Sequence, residues 1–252
     1  MSKPKPTRKK KLSKEDEDEI VHSMQQETSK NPLNAHIELK CKTDNQRKFI
    51  NLLNDKEIVV AAGFAGTGKT FLSCAKSLLL LKSNPKYRKI MLIKSVTELK
   101  GESIGFLKGE MSDKMAPFME SFKDNFKKLI GKPGADALES MGIIEIQPLA
   151  FIRGRTIDNT IMIIDEAQNI SFDNMKTILT RIGENSKIII IGDTKQIDLR
   201  NKKDSSLFQI MEKFSKNPLF GVMQFEKSDQ VRNPLINIIE EMFDEIEGEN
   251  KK

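Results

Sequence analysis

The 252-residue sequence has no tryptophan, one tyrosine and two cysteines. Two thiols, Cys41 and Cys74, cannot build a disulfide framework, so the expectation is reduced cysteines and a cytoplasmic protein (host cytoplasm if a phage encodes it). No apolar stretch approaches the roughly 20 residues that span a bilayer. The basic start, Met1 to Leu12, is not followed by an apolar run or a small-residue cleavage site, which argues against a secretory signal. No internal repeat and no long linker interrupts the chain. Few aromatics also mean little material for stacking on bases, beyond Phe64, Phe106 and Phe151.

What is present is charge: 31% Asp, Glu, Lys and Arg, with a net +6 and a pI near 9.1. Lys3, Lys5, Arg8, Lys9, Lys10, Lys11 and Lys14 match the whole excess, leaving the remainder nearly balanced. Such a tail either contacts phosphates by releasing counterions or only solubilises the chain. Residues 1–40 read as a poorly ordered charged leader, 41–247 as one folded domain and 248–252 as a tail. Order is expected to begin near Thr43, opening a helix with Phe49, Ile50 and Leu53 on one face.

Beyond it, apolar runs alternate with helical segments. The runs are Ile58 to Ala62, Lys89 to Ile93, Ile143 to Ile146, Thr160 to Ile164, Lys187 to Ile191 and, more weakly, Gly221 to Phe225. Continuous Ile/Val-rich runs mark strands buried on both faces, as in parallel sheets covered by helices. The helices expected between them are Thr70 to Lys82, Asp113 to Ile130, Ser171 to Ile182, Ser205 to Phe214 and Pro234 to Ile246. This predicts a single α/β domain with a doubly wound, mostly parallel sheet. The stripe Met115, Phe118, Met119, Phe122 and Phe126 has helical spacing and reads as a packing face.

Gly63-Phe64-Ala65-Gly66-Thr67-Gly68-Lys69-Thr70 fits GxxxxGK[ST] between a predicted strand and a predicted helix. Its glycines let backbone N–H groups surround a phosphate, with the helix N-terminus behind them. Lys69 is expected on the β- and γ-phosphates and the Thr70 hydroxyl on Mg²⁺. The run Thr160 to Ile164 ends in Asp165-Glu166-Ala167-Gln168, which places two carboxylates at the carboxyl edge of the sheet. Asp165 is the expected Mg²⁺ partner, and Glu166 the group that orients the attacking water. The next strand runs into Gly192-Asp193-Thr194-Lys195-Gln196, where Gln196 is placed to touch the γ-phosphate.

Asp165-Glu166-Ala167-Gln168 with Gly192-Asp193-x-x-Gln196 resembles motifs II and III of superfamily 1 helicases. Residues 102–109, 148–156, 179–183 and 229–235 resemble the PhoH-like family in particular, and the likeness runs from about Thr43 to Ile246. The resemblance implies a single RecA-like core that binds ATP with Mg²⁺ and works on RNA or single-stranded nucleic acid, in a family common in phages. Some members carry a PIN nuclease domain, for which this chain has no room. Lacking the second core of ordinary helicases, it is expected to form a homo-oligomer, with a hexameric ring favoured and no membrane partner. Charge on the γ-phosphate then comes from its own later segments or from a neighbour. Arg232, Arg155 and Arg153 are the candidates, each alternatively a structural ion pair. Gln46 sits where similar helicases read adenine, and nothing resembles the guanine-reading motif of GTPases. Lys94, Ser95, Thr97 and Lys100 occupy the position of a nucleic-acid-contacting motif. Three function classes fit: a nucleic-acid-stimulated ATPase or helicase, an ATP-dependent switch without unwinding, and a small-molecule kinase. The last is disfavoured by the motif pair and by the lack of an Arg-rich lid.

Overall fold

The computed structural model describes residues 31–94, 111–193, 196 and 205–249. In chain order the elements are α1 (Asp44–Asp55), β1 (Ile58–Gly63), α2 (Lys69–Ser83), β2 (Lys89–Lys94), α3 (Met111–Ser140), β3 (Ile144–Pro148), β4 (Thr160–Asp165), α4 (Phe172–Leu179), β5 (Lys187–Asp193), α5 (Leu207–Phe214), β6 (Phe220–Phe225) and α6 (Pro234–Glu249). The strands form one six-stranded sheet in the order β3-β2-β4-β5-β1-β6, and every pairing is parallel. This is a RecA-like P-loop core. The carboxyl ends of all the strands therefore lie along one edge.

The Ile/Val-rich runs are explained by the two faces they serve. Val59, Ala61, Ile90, Leu92, Ile161, Ile163, Ile189 and Ile191 join the core under α1, α2 and α3. Their alternates Val60, Ala62, Met91, Ile93, Met162, Ile164, Ile188 and Ile190 join the core under α4 and α5. Side chains alternate across a strand, so a strand covered on both faces has no polar positions to spare. Each buried aliphatic side chain contributes about 1.5–3 kcal/mol relative to exposure.

Local signals set the helix ends. Thr43 caps α1, its hydroxyl accepting the Gln46 N–H at 3.2 Å. Helix α3 breaks at Gly131, whose φ of +73° is left-handed, so the expected end at Ile130 falls at this kink. A second helical stretch, not foreseen, carries on to Ser140 and buries Ala135 and Leu138. Phe122 and Phe126 of the expected stripe are buried beneath α3. Helices α4 and α5 are shorter than expected because the chain turns at Thr180 and begins α5 only after Ser206.

The fold also starts earlier than the expected leader boundary at residue 40. Ile37 is buried in the first core, and Leu33 and Leu39 pack against it, so apolar burial draws in a stretch whose composition looked too polar. Residues 1–30, where the basic tail lies, fall outside the described residues.

Lys187 opens β5 at the opposite edge from the phosphate loop, 2% exposed, its Nζ donating to the Lys56 carbonyl. Burial pushes its ammonium down to about 8, with the charge of Lys86 adding to the effect. The folded state therefore binds fewer protons than the unfolded chain between pH 8 and the ordinary lysine value. Stability attributable to Lys187 is fully present above that value and is lost as pH falls through about 8. Denaturant unfolding of wild type and Lys187→Met at stepped pH is expected to show a gain across this window that is larger in wild type by on the order of 3 kcal/mol.

Candidate nucleotide site

The loop between β1 and α2 closes around its own lysine. Lys69 Nζ donates to the carbonyls of Gly63 at 3.0 Å and Phe64 at 2.7 Å and to Thr67 Oγ1 at 3.3 Å. Burial lowers its pKa, while Asp193, Asp165 and Glu166 act in the opposite direction and favour the charged form. A single cation is thus aimed at a concave acidic edge. The loop needs glycine at Gly66, where φ is +74° and an added Cβ would stand 2.5 Å from Arg232 Cδ.

The acidic edge is held by a short chain of hydrogen bonds. Thr70 Oγ1 donates to Asp165 Oδ2 at 3.1 Å, and the Glu166 N–H donates to Asp165 Oδ1 at 2.9 Å. Glu166 itself has a left-handed backbone, φ +54°, an uncommon and strained conformation for a non-glycine residue. Gln168 is fully buried and spans two strands: its Nε2 donates to Glu166 Oε2 at 2.7 Å, and its Oε1 accepts the Asp193 N–H at 2.8 Å. Close approach here depends on Gly192, since a Cβ would come within 2.9 Å of Gln168 Oε1.

Lys69, Thr70, Asp165, Glu166 and Gln196 line one cavity of about 300 Å³, with Ala65, Gly66, Thr67 and Gly68 at its floor. The elements at 69 and 165, expected to grip one ligand from two sides, therefore share it. Asn125 of α3 lines the same cavity. No sequence signal singled it out, because it lies within a helix read only for its apolar face.

A cavity of this lining suits a phosphate chain with a divalent ion. It has one buried cation, the backbone of a glycine-rich loop and a hydroxyl bonded to a carboxylate. No cluster of three or more metal-ligating His, Cys, Asp or Glu side chains occurs among the described residues. That donor set fits Mg²⁺, which keeps phosphate and water ligands, and Thr70 and Asp165 are the side chains that could hold it.

A strap after β6 clamps the loop from above. The Val231 N–H donates to the Gly66 carbonyl at 3.0 Å, and Gln230 Nε2 donates to the Ala65 carbonyl at 3.0 Å. Below it, Asn45 Nδ2 donates to Asp229 Oδ2 at 2.8 Å, tying the strap to α1. Arg232 lies across the loop with its guanidinium on Glu240 of α6 at 2.5 Å. It lines a second cavity of about 490 Å³ that shares Ala65, Asp193 and Gln196 with the first. The strap residues other than Arg232 were not anticipated as site residues, since their contacts span more than 160 positions of sequence.

The remaining residues singled out from the sequence fall in different places. Gln46 does not line the cavity: it is 3% exposed, its Nε2 donating to the Thr67 carbonyl at 3.0 Å and its Oε1 accepting the Lys42 N–H at 2.6 Å. Both ends of the amide bond backbone, and the bond to Thr67 braces the loop. Arg153 and Arg155 follow a short 3-10 turn, Leu149–Ile152, and are exposed outside this cavity. Lys94 ends β2 in register with Asp165, and so stands on the same edge. Ser95, Thr97 and Lys100 lie outside the described residues, as do 102–109.

Loss of the Gln46 brace is expected to weaken nucleotide binding without changing base preference. Gln46→Ala should raise the dissociation constants of ATP and GTP by the same factor, roughly 10-fold, the scale of one buried hydrogen bond. Titration with fluorescent analogues of both checks this; a loss confined to ATP would return Gln46 to the base.

The family model described as PhoH-like protein matches residues 38–244. The chain is 38% identical over 235 residues to a PhoH-like protein of Bacillus subtilis (strain 168), covering 93% of this chain and 72% of that one. It is 35% identical over 199 residues to Protein PhoH of Escherichia coli (strain K12), covering 77% of this chain and 55% of that one, so it spans little more than half of that relative. Among solved structures, the large terminase of a thermophilic bacteriophage aligns with a TM-score of 0.46 and 12% identity, over 76% of this chain and 47% of the terminase. Bacteroides sp Pif1 in complex with ADP-AlF4 aligns with a TM-score of 0.39 and 16% identity, over 81% and 46%. With the family's sequence matched across most of its length and the P-loop cavity assembled from the matched residues, this chain belongs to the PhoH-like protein family.

Proposed function

We propose that this chain is a Mg²⁺-dependent ATPase whose turnover is raised by RNA or single-stranded nucleic acid, and that it works as a homo-oligomer, a hexameric ring being favoured. The observation that carries the reading is the Thr70–Asp165 hydrogen bond of 3.1 Å beside Lys69 and Glu166 on one cavity wall. In this reading Lys69 leaves its loop carbonyls for the β- and γ-phosphate oxygens, as a compact cation with three donors can. Mg²⁺, when bound, neutralises charge between those phosphates. Glu166 orients the attacking water with its free oxygen, because Gln168 holds the other one at 2.7 Å. Gln196, exposed at the lip of both cavities, contacts the γ-phosphate and Arg232 follows it.

Arg153 and Arg155 serve a neighbouring copy in this scheme, since in their own chain they stand away from the cavity. Lys94, Ser95, Thr97 and Lys100 contact the nucleic-acid backbone, where hydroxyls and amines set register without reading sequence. One observation favours the alternative of a switch that recruits partners without unwinding. Arg232 ties the loop to α6 through Glu240, so movement of Arg232 toward phosphate would release that helix.

Steady-state turnover of wild type and Glu166→Gln, with and without single-stranded RNA or DNA, tests the reading. The variant is expected to bind ATP while losing at least about 10²-fold in turnover, the scale of a removed positioned base. Turnover unchanged by the substitution would remove Glu166 from the chemistry. Wild-type turnover is expected to rise several-fold with nucleic acid, and a flat response would favour the switch.

A further inference from the structure

Helix α6 is exposed along most of its circumference and meets its own chain through two ion pairs. Glu240 pairs with Arg232 at 2.5 Å and Glu241 with Lys227 at 2.8 Å, both anchoring the helix beside the phosphate loop. The apolar stripe is turned to solvent. Leu235, Ile239, Met242 and Ile246 recur at helical spacing and are 61%, 51%, 58% and 52% exposed, flanked by Ile238 and Phe243. A contiguous apolar stripe of this kind marks a surface that another molecule covers.

Helices α4 and α5 leave a groove of about 170 Å³ lined by Phe172, Met175, Leu179, Ile210 and Phe214, with Lys176. Phe172 is 53% exposed and adjoining Phe208 48%. Lys176 is the one ionisable side chain lining this groove among the described residues, and it has no ion-pair partner among them.

We propose that the apolar face of α6 docks into the α4–α5 groove of a second copy of this chain. Charge decides which surface the stripe meets. Helix α6 reads Pro-Leu-Ile-Asn-Ile-Ile-Glu-Glu-Met-Phe-Asp-Glu-Ile-Glu-Gly-Glu, with carboxylates and no cation, so two α6 helices face to face would repel. The groove offers apolar walls and a lysine with no ion pair among the described residues instead. Its own α6 lies elsewhere, beside the phosphate loop at Arg232 and Lys227. Two different surfaces meeting make a heterologous contact, which closes into a ring or extends.

The contact names the interface of the oligomer proposed above and rests on that reading. It has one consequence for the site. The 3-10 turn Leu149–Ile152 packs on α4, and Ile152 shares a core cluster with Met175 and Ile178. Arg153 and Arg155 thus belong to the body that carries the groove. Docking sets that body against the helix that flanks the neighbour's phosphate loop.

Complementation tests this with the full chain. Ile239→Glu spoils the stripe and leaves the groove; Phe172→Glu spoils the groove and leaves the stripe; both residues are exposed, so folding should persist, as circular dichroism can verify. Native mass spectrometry, with and without ATP and Mg²⁺, is expected to find wild type assembled and each variant monomeric. Mixed together, the two variants should form a 1:1 dimer that grows no further. Either variant retaining wild-type assembly, or a mixture that stays monomeric, overturns the interface while leaving the oligomer and the ATPase reading intact. Wild type monomeric under both conditions overturns the interface and the oligomer together. ATPase turnover, measured separately, decides the chemistry.

Discussion

A buried ammonium facing a row of carboxylates is the constraint around which this molecule is arranged. Lys69 is only 9% exposed, and burial works against its charge. Three loop oxygens accept its protons, and Asp193, Asp165 and Glu166 supply compensating charge from two other strands. To bring those groups together, β4 and β5 must end at the same edge as β1. An all-parallel sheet does that automatically, and this one has β5 paired to both β1 and β4. The ligand-holding chemistry and the topology are therefore one arrangement.

Around that charge the structure invests in backbone control. The strap after β6 hydrogen-bonds two loop carbonyls, Gln46 takes a third, and Lys69 two more. The carbonyls of the P-loop are thus satisfied partly by its own lysine and partly by the strap and α1. Gln168 does the same for the acidic side, connecting the carboxylate of Glu166 to the main chain of Asp193. A displacement at the end of β5 is thereby felt at Glu166, which gives neighbouring strands a physical means of communication.

Chain position explains the asymmetry of the surface. Helix α6 is the last described element, anchored by two ion pairs and otherwise amphipathic in the wrong sense for an isolated molecule. The two faces of the sheet are already covered by α1 to α5. Helix α6 lies outside both core clusters and leaves its apolar stripe exposed.

The sequence alone determined the strands, the phosphate loop and the carboxylate pair. These are local: a run of β-branched residues buried on both faces, and a glycine pattern bounded by strand and helix, carry their physics in adjacent positions. The 3.6-residue period likewise identified most helices, and Gly131 marked a break where one was expected. Long-range contacts were decided only by the tertiary structure. The turning of Gln46 toward the loop backbone, the strap at 229–232, the arrival of Asn125 and the burial of Ile37 all join residues far apart in the chain. A side chain with donors and acceptors to spare, such as Gln46, suits base or backbone equally well. Which partner it takes depends on the distance that folding leaves between them.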